Sequence, residues 1–216
     1  MKAKNLEQQD WLQHERILWR SGIKYIAGVD EVGRGCLVGP VVAAAVILPL
    51  NIDIIGVYDS KVMSVPMREE AYHRILEQSA FFALGAASNR IIDNIGILKA
   101  TLLAMQRAIR RLRCRPDHIL IDGNRCPDDL PCAAESIIGG DGKSRSIAAA
   151  SVIAKVIRDR LLIRLSRIYQ HYGFESHKGY GTVRHLTAIN TYGSTPHHRL
   201  SFKPLSQLSP ILKTST

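Results

Sequence analysis

The sequence predicts one α/β domain built on a mixed five-stranded sheet that is flanked by helices. Two apolar runs near the N-terminus are joined by a short glycine-rich segment, which is typical of an antiparallel hairpin. Further strand-like runs are separated by segments of helical periodicity, which is typical of strands connected through helices. Hydrophobic residues make up 46% of the 216 residues, enough to form a buried core. We expect the domain to cover residues 1–216, with a core over about 22–172 and a helical or loop appendage over about 173–216.

The strands are predicted from short apolar runs that are followed by glycine, proline or polar turn residues. Five segments fit this description: residues 23–30, 41–50, 80–88, 116–124 and 133–141. The helices are predicted from apolar residues that recur at a spacing close to one helical turn. Five segments show that spacing: residues 4–21, 65–79, 94–114, 144–173 and 183–193. This order favours antiparallel pairing for the first strands and helical connections between the later ones.

Capping residues support the predicted helix bounds. Ser64 precedes the second helix and Pro66 lies in its first turn, where both residue types are favoured. Asp93 is predicted to be the N-cap of the third helix, whose last turn carries arginines that suit the helix dipole. Gly22 and Gly173 are predicted to end the first and fourth helices.

The net charge indicates a polyanionic partner. Lys and Arg number 29 against 19 Asp and Glu, which gives a formal charge of +10 and a sequence pI near 9.7. Nucleic acid is the first partner that such an excess suggests. The alternative is an ordinary basic protein whose lysines are simply solvated.

The cysteines and the hydropathy pattern indicate an intracellular protein. No two of the four cysteines have the spacing of a zinc motif, and we expect reduced thiols: Cys36, Cys114, Cys126 and Cys132. The N-terminal residues lack the apolar stretch of a signal peptide. No apolar run approaches the roughly 18 residues of a membrane span. We therefore expect a cytoplasmic protein that makes no membrane contact.

Four carboxylates share one position in the sequence pattern. Each follows an apolar run and is followed by glycine-containing sequence: Asp30, Glu31, Asp122 and Asp141. If the strands that carry them are neighbours, the side chains meet at one edge of the sheet, where open α/β sheets bind ligands. A cluster of carboxylates needs countercharge, and its oxygens suit Mg²⁺ or Mn²⁺. Together with the basic charge, the cluster predicts a metal-dependent nuclease. The alternative is that each acid is only a turn residue or a helix cap.

A glycine–arginine–glycine turn, Gly33–Arg34–Gly35, follows the first two acids. With Gly39 it gives GxGxxxG, and Pro40 with a β-branched run follows in place of the helix that a dinucleotide-binding fold requires. GDGKS at 140–144 lacks the upstream glycine of a Walker A motif. The turn can instead bring backbone amides close to a sugar or a phosphate, with Arg34 as a phosphate contact. The alternative is a tight hairpin with an exposed arginine.

Six motifs occur in one order along most of the chain. They are AGVDEVGRG at 27–35, DSK at 59–61, ILIDGN at 119–124, GGDGKSRSIAAASVIAKVIRDR at 139–160, HKGYGT at 177–182 and HRLSF at 198–202. Together they closely resemble the ribonuclease HII family, the type 2 ribonucleases H. The resemblance implies an RNase H-like fold with a C-terminal helical extension. It also implies an endonuclease, with Mn²⁺ or Mg²⁺ as cofactor, that cuts the RNA strand of RNA/DNA hybrids. Duplex DNA would be nicked on the 5′ side of an embedded ribonucleotide, leaving 5′-phosphate and 3′-hydroxyl ends, and we expect a monomer.

The resemblance also implies roles for individual residues. The family's metal-binding acids fall on the four carboxylates named above. Its backbone reader of the ribose 2′-hydroxyl falls on Gly33, Arg34 and Gly35, and the tyrosine that supports recognition of the RNA–DNA junction falls on Tyr180. Lys61 is expected to contact a phosphate.

Two further points come from comparing this chain with the family pattern. Asp159 is expected to pair with Lys155 behind the metal ligands rather than to bind metal. Cys36 stands where the family usually has proline after the turn, and DSKVMS replaces the more typical DSKKLS. These departures bear on loop rigidity and on the strength of substrate binding.

Two other functions fit part of the pattern. Another RNase H-like nuclease or a transposase-type phosphotransferase shares clustered acids, and cleavage of all-DNA substrate would distinguish it. A basic nucleic-acid-binding module with structural acids would bind without metal-dependent cleavage.

Overall fold

The structure, a computed structural model, describes residues 10–50, 54, 56–57, 60 and 63–207. Its five strands are β1 Ile26–Val32, β2 Val41–Ile47, β3 Phe81–Ala87, β4 His118–Asp122 and β5 Ala133–Ile137. Its helices are α1 Gln13–Arg20, α2 Val65–Gln78, α3 Asn89–Ile95, α4 Ile97–Arg110, α5 Arg145–Ile168, α6 Phe174–His177 and α7 Val183–Tyr192. Short 3₁₀ turns occur at Gly140–Gly142, Gln170–Tyr172 and Leu205–Gln207.

The strands form one mixed sheet in the order β3-β2-β1-β4-β5. β1 and β2 pair antiparallel, as the short segment between them predicted, and β2 pairs antiparallel with β3 as well. β4 pairs parallel with β1, and β5 pairs parallel with β4. The predicted mixed five-stranded sheet is therefore confirmed. β1 lies at the centre of the sheet, between β2, which follows it in the first hairpin, and β4, which comes from a distant part of the chain.

Helices cover both faces of the sheet. On one face, α2 and α5 bury a core that includes Ala44, Val46, Tyr72, Ile75 and Val152. On the other face, α4 packs its small and apolar residues against Ala27, Val29 and the odd-numbered residues of β2. Burial on both faces explains why β2 reads as an unbroken apolar run rather than an alternating one.

The contact between α5 and the central strand depends on a glycine. A Cβ added to Gly28 of β1 would overlap the backbone of Ser146 and Ile147 in the first turn of α5. Without a side chain at this position, α5 lies directly against β1, which brings the first turns of the helix next to the carboxyl end of the strand.

The first turn of α5 is also held by α1. Glu15 of α1 is almost fully buried, and its Oε1 accepts hydrogen bonds from Ser144 Oγ (2.6 Å) and Ser146 N (3.0 Å). Ser144 is the N-cap of α5, as its Oγ accepts from the amide of Ile147. A carboxylate at a helix N-terminus satisfies free amides and interacts favourably with the helix dipole. This contact fixes the start of α5 just after Asp141.

The predicted helix 94–114 is wrong in its start. Gly96 has φ +79° and separates α3 from α4, and Ser88 rather than Asp93 caps the first of these two helices. The carboxylate of Asp93 instead accepts from the amides of Leu200 (3.0 Å) and Ser201 (2.9 Å). Asp93 had a cap-like position in the sequence, but its partners lie more than one hundred residues away.

Two predicted strand ends also differ. β1 continues to Val32, so Asp30 and Glu31 lie inside the strand rather than at its end. β5 stops at Ile137, and Asp141 lies in the following 3₁₀ turn. Gly139 starts that turn with φ +65°, a conformation that glycine adopts without strain.

The C-terminal segment packs beside the loop between β1 and β2. Phe174, Ala188 and Leu205 form an apolar cluster with Leu37, Val38 and the second half of α5. An isolated bridge pairs Val38 with His198. The segment that follows α5 is therefore positioned to support the glycine–arginine–glycine turn.

Candidate active site

Two of the predicted acids are brought together by parallel strand pairing. Val29 of β1 is in register with Ile121 of β4, so the next residues, Asp30 and Asp122, lie side by side. Asp30 is 2% exposed and Asp122 is partly buried. The pairing of β1 with β4 thus joins acids that are 92 positions apart in the sequence.

Asp30, Glu31 and Asp122 form a compact group, which we call the carboxylate group. Each offers one carboxylate oxygen, and the three oxygens lie within 4.8 Å of one another. Asp141 is 5% exposed. Among the described residues it is not part of this group, but its negative charge raises the pKa of Asp30. The structure therefore assembles three of the four predicted acids and places the fourth beside them.

The carboxyl groups repel one another in a poorly solvated place. Burial raises the pKa of Asp30 well above its usual value, and the charges of Glu31, Asp122 and Asp141 raise it further, whereas a hydrogen bond from Ser151 lowers it. The pKa of Glu31 is also raised, first by burial, while Arg34 opposes that shift. Both shifts have the direction that burial and neighbouring negative charge impose on a carboxyl group.

Neighbouring groups hold the carboxylates in place. Asp122 Oδ1 accepts from the amide of Gly140 at 2.7 Å, which ties β4 to the turn that carries Asp141. Ser151 of α5 lies 2.9 Å from the hydroxyl of Ser60, and its side chain hydrogen-bonds Asp30. The carboxylate group is therefore fixed by α5 and by the β5–α5 turn as well as by the sheet.

The carboxylate group fits a divalent cation. Its donors are oxygens only and they converge within a few ångströms. Burial, followed by neighbouring negative charge, raises the pKa of Asp30 and of Glu31, so a positive ion would favour their charged forms. Hard cations such as Mg²⁺ and Mn²⁺ prefer such donors. Arg34 Nη1 lies 3.4 Å from Glu31 Oε1 and supplies a positive charge beside the carboxylate group.

The glycine–arginine–glycine turn packs closely against the side chain of a buried arginine. Gly33 has φ +95°, and an added Cβ would overlap the guanidinium group of Arg158. The turn therefore requires glycine both for its backbone conformation and for space. Arg158 is fully buried and donates to the carbonyls of Val38 (3.0 Å), Pro40 (3.1 Å) and Lys178 (2.9 Å).

Tyr180 lies across a cleft from the carboxylate group. The cleft has a volume of about 320 Å³ and is lined by Glu31, Val32, Ser60, Arg68, Ser151, Lys155 and Tyr180. The tyrosine is 45% exposed, and a Cβ on Gly35 would lie 3.9 Å from its ring. Burial raises the pKa of its hydroxyl, as do the charge and hydrogen bond of Cys36. Tyr180 thus lines the same cleft as Glu31 and lies beside Gly35 of the turn.

A pair of buried histidines supports Tyr180 from behind. The amide of Thr195 donates to His198 Nδ1 at 2.8 Å, so the proton of a neutral His198 is on Nε2. That Nε2 lies 3.0 Å from His185 Nε2, and His185 Nδ1 lies 2.8 Å from the Tyr180 carbonyl. Two neutral rings of fixed tautomer therefore anchor the Tyr180 backbone. Burial lowers the pKa of His185 to about 4 and of His198 to about 3, which keeps both rings neutral at physiological pH.

Comparisons with known proteins agree with the motifs. The family model described as Ribonuclease HII matches residues 27–205. Ribonuclease HII of Ligilactobacillus salivarius is 48% identical over 208 residues, which cover 96% of this chain and 81% of that protein. The chain belongs to the ribonuclease HII family. The enzymes of this family are endonucleases that hydrolyse the RNA strand of RNA/DNA hybrids, and this chain is a hydrolase of that class.

Solved structures share the fold. Ribonuclease H2 from Pyrococcus horikoshii OT3 has a TM-score of 0.72 and 24% identity, covering 88% of this chain and 100% of that one. Bst-RNase HIII, solved in complex with Mn²⁺, has a TM-score of 0.72 and 22% identity, covering 92% of this chain and 72% of that one. The RNase H-like architecture predicted from the sequence is thereby confirmed.

Four further predictions for this ribonuclease HII family member have different outcomes. Lys61 lies outside the described residues. The ion pair between Lys155 and Asp159 is confirmed, with Nζ and Oδ1 2.8 Å apart. Cys36, where the chain departs from the family pattern, is fully buried under Tyr180 and is a free thiol, as are the other three cysteines. Within the described residues, no helix has the length and apolar character needed to cross a membrane.

Sequence reasoning did not identify several residues that shape the site of this ribonuclease HII family member. Ser151 and Arg68 line the cleft, and Arg158 supports the turn. Arg158 lies inside the quoted motif VIRDR, but nothing local distinguishes it from a solvated helical arginine. Its role depends on α5 crossing the β1–β2 loop, which is a tertiary contact.

Proposed function

We propose that Asp30, Glu31, Asp122 and Asp141 are the metal ligands of this enzyme. The observation that carries the proposal is the carboxylate group, three acids from two parallel neighbouring strands with oxygens within 4.8 Å. Asp141 joins them through the turn whose Gly140 amide binds Asp122. The raised pKa values of Asp30 and Glu31 support a site that is completed by positive charge.

Mg²⁺ or Mn²⁺ is the proposed cofactor, since both prefer carboxylate oxygens and retain water. When bound, a divalent cation supplies an activated water and stabilises the charge that develops on the departing 3′-oxygen. The chain's own contribution is to hold four carboxylates in fixed positions and to orient the scissile phosphate against them.

We propose that the glycine–arginine–glycine turn and Tyr180 recognise the ribose. The 2′-hydroxyl distinguishes RNA from DNA, and closely approaching amides of Arg34 and Gly35 are suited to bind it. Tyr180 faces the same cleft and offers an aromatic ring to a sugar. The side chains of Arg34 and Lys61 are proposed to contact phosphates, so binding should weaken as salt increases.

The proposed substrates are RNA/DNA hybrids and duplex DNA with embedded ribonucleotides. The enzyme would nick on the 5′ side of the ribonucleotide and leave 5′-phosphate and 3′-hydroxyl ends. We further propose that residues 1–216 act as one domain, as a monomer, in the cytoplasm.

Cleavage assays with matched duplexes test this function. Substrates with zero, one and several ribonucleotides are incubated with Mg²⁺ or Mn²⁺ and with either Asp122→Asn or Asp128→Asn protein. Asp128 is an exposed acid in the connection between β4 and β5, and it serves as the control. We expect cleavage of ribonucleotide-containing duplexes only, and its loss in Asp122→Asn alone. Undiminished turnover of Asp122→Asn would show that the carboxylate group is not the active site.

A further inference from the structure

Arg199 has unusual partners for a buried cation. Its side chain is 0% exposed and lies in the segment after α7. Nη2 donates to the carbonyl of Gly33 at 2.7 Å, Nη1 to the carbonyl of Arg34 at 2.8 Å, and Nε to the carbonyl of Gly39 at 3.0 Å. The two arms of one guanidinium therefore bind two consecutive carbonyls of the glycine–arginine–glycine turn.

These two bonds determine where the next two amides point. In a planar trans peptide the carbonyl and the following N–H are directed to opposite sides. The Gly33 carbonyl shares a peptide unit with the amide of Arg34, and the Arg34 carbonyl shares one with the amide of Gly35. Because Arg199 draws both carbonyls toward the protein interior, both amides face outward.

Arginine is suited to this task in a way that lysine is not. Its planar guanidinium presents donors in a rigid fork, whereas an ammonium group is a point charge on a flexible stem. Burial and the neighbouring Arg158 lower the pKa of Arg199 to about 10, so the group remains charged at physiological pH. The buried charge also makes the base of the turn positive, which favours a nearby phosphate.

We propose that Arg199 is a positioning residue for ribose recognition, because its fork holds the Gly33 and Arg34 carbonyls inward and so presents the Arg34 and Gly35 amides to the sugar. The inference rests on the proposed function, in which this turn reads the 2′-hydroxyl. Arg199 itself does not touch the substrate and acts through the backbone of the turn.

Arg107 provides a control. It is a partly buried arginine whose Nη1 donates to the carbonyl of Ala86 at 2.7 Å, in β3 and outside the turn. Arg107→Lys should therefore keep the charge and leave the two amides in place. Arg199→Lys should affect the amides and keep the charge.

The test is the ratio of two affinities measured by fluorescence anisotropy at constant salt. One duplex contains a single ribonucleotide and the other is all DNA, with Ca²⁺ in place of Mg²⁺ and gels to show that neither is cut. We expect Arg199→Lys to lower the preference for the ribonucleotide at least about tenfold, while affinity for the all-DNA duplex changes less than about twofold. Arg107→Lys should retain the preference.

The outcomes separate the inference from the function on which it rests. If the wild-type protein binds the ribonucleotide duplex no more tightly than the all-DNA duplex, the proposed function is overturned. A wild type that prefers the ribonucleotide, with Arg199→Lys unchanged or with both variants equally impaired, would overturn the role of Arg199.

Hydrogen exchange of the wild-type amides covers the case in which Arg199→Lys does not fold. The Arg34 and Gly35 amides should exchange rapidly in the free protein and become protected by the ribonucleotide duplex but not by all-DNA duplex. Protection in the free protein would contradict the proposed orientation, and rapid exchange in the ribonucleotide complex would contradict the proposed function.

Discussion

Removing one acid from the carboxylate group should make the metal-free enzyme more stable while it abolishes catalysis. Asp122 raises the pKa of both Asp30 and Glu31, so Asp122→Asn relieves two repulsions at once. The substitution keeps an oxygen that can accept from the amide of Gly140. The loss of charge, rather than a loss of packing, then dominates the effect.

The size of the effect follows from the geometry. Two unit charges 4.8 Å apart repel by about 3.5 kcal/mol at an effective dielectric constant of about 20, and by about 0.9 kcal/mol in bulk water. We therefore expect a gain of about 1–3 kcal/mol in the free energy of unfolding at neutral pH. For a chain of this size that is an increase in Tm of about 2–12 °C.

Thermal unfolding followed by circular dichroism, in EDTA and in millimolar Mg²⁺, measures this difference. Wild type should gain stability from Mg²⁺, and Asp122→Asn should start higher and gain little. Asp128→Asn removes the same charge from an exposed site and should change the free energy of unfolding by less than about 0.5 kcal/mol. A Tm of Asp122→Asn at or below that of wild type in EDTA would refute the electrostatic reasoning.

Three further predictions follow from other contacts. Gly28→Ala should destabilise the protein by about 3 kcal/mol or more in urea unfolding, because the new methyl group overlaps the backbone of Ser146. His185 and His198 have folded-state pKa values below the unfolded value of about 6.5, so stability should fall as the pH falls from about 6.5 toward 4, by about 1.4 kcal/mol per pH unit for each ring. His198→Gln should remove the contribution of one histidine ring from this dependence of stability on pH. Arg34→Gln should weaken duplex binding and lower the slope of log affinity against log salt by about one.

Each of these predictions has a matched control. An added Cβ on Gly142 meets nothing within 4 Å, so Gly142→Ala should leave urea unfolding nearly unchanged. His73 is exposed, and His73→Gln should keep the wild-type dependence of stability on pH. Arg113 lies beyond the end of α4, away from the cleft residues, and Arg113→Gln should alter the salt slope less than Arg34→Gln. Each contact would be contradicted by one result. These results are wild-type stability of Gly28→Ala, an unchanged dependence of stability on pH in His198→Gln, and an unchanged dependence of duplex affinity on salt in Arg34→Gln.

Local sequence was sufficient where the relevant interactions are short in range. The apolar runs of β1 and β2 and the few residues between them predicted an antiparallel pair, which the structure contains. Ser64 and Pro66 gave the start of α2 correctly, since capping involves residues within one turn. Asp93 shows the limit, because a side chain with the right local position for a cap binds instead to the backbone of Leu200 and Ser201.

The sequence by itself determined which groups the candidate site contains: four acids after apolar runs, a turn of two glycines around an arginine, and a tyrosine between glycines. Only the tertiary structure decided that β4 lies beside β1 and places Asp122 against Asp30, and that Arg199 reaches the turn from 165 residues away. The physical reason is that periodicity and capping report on neighbours within a turn or a strand. The choice of pairing partner depends instead on how all the apolar faces are buried together, which no local segment records.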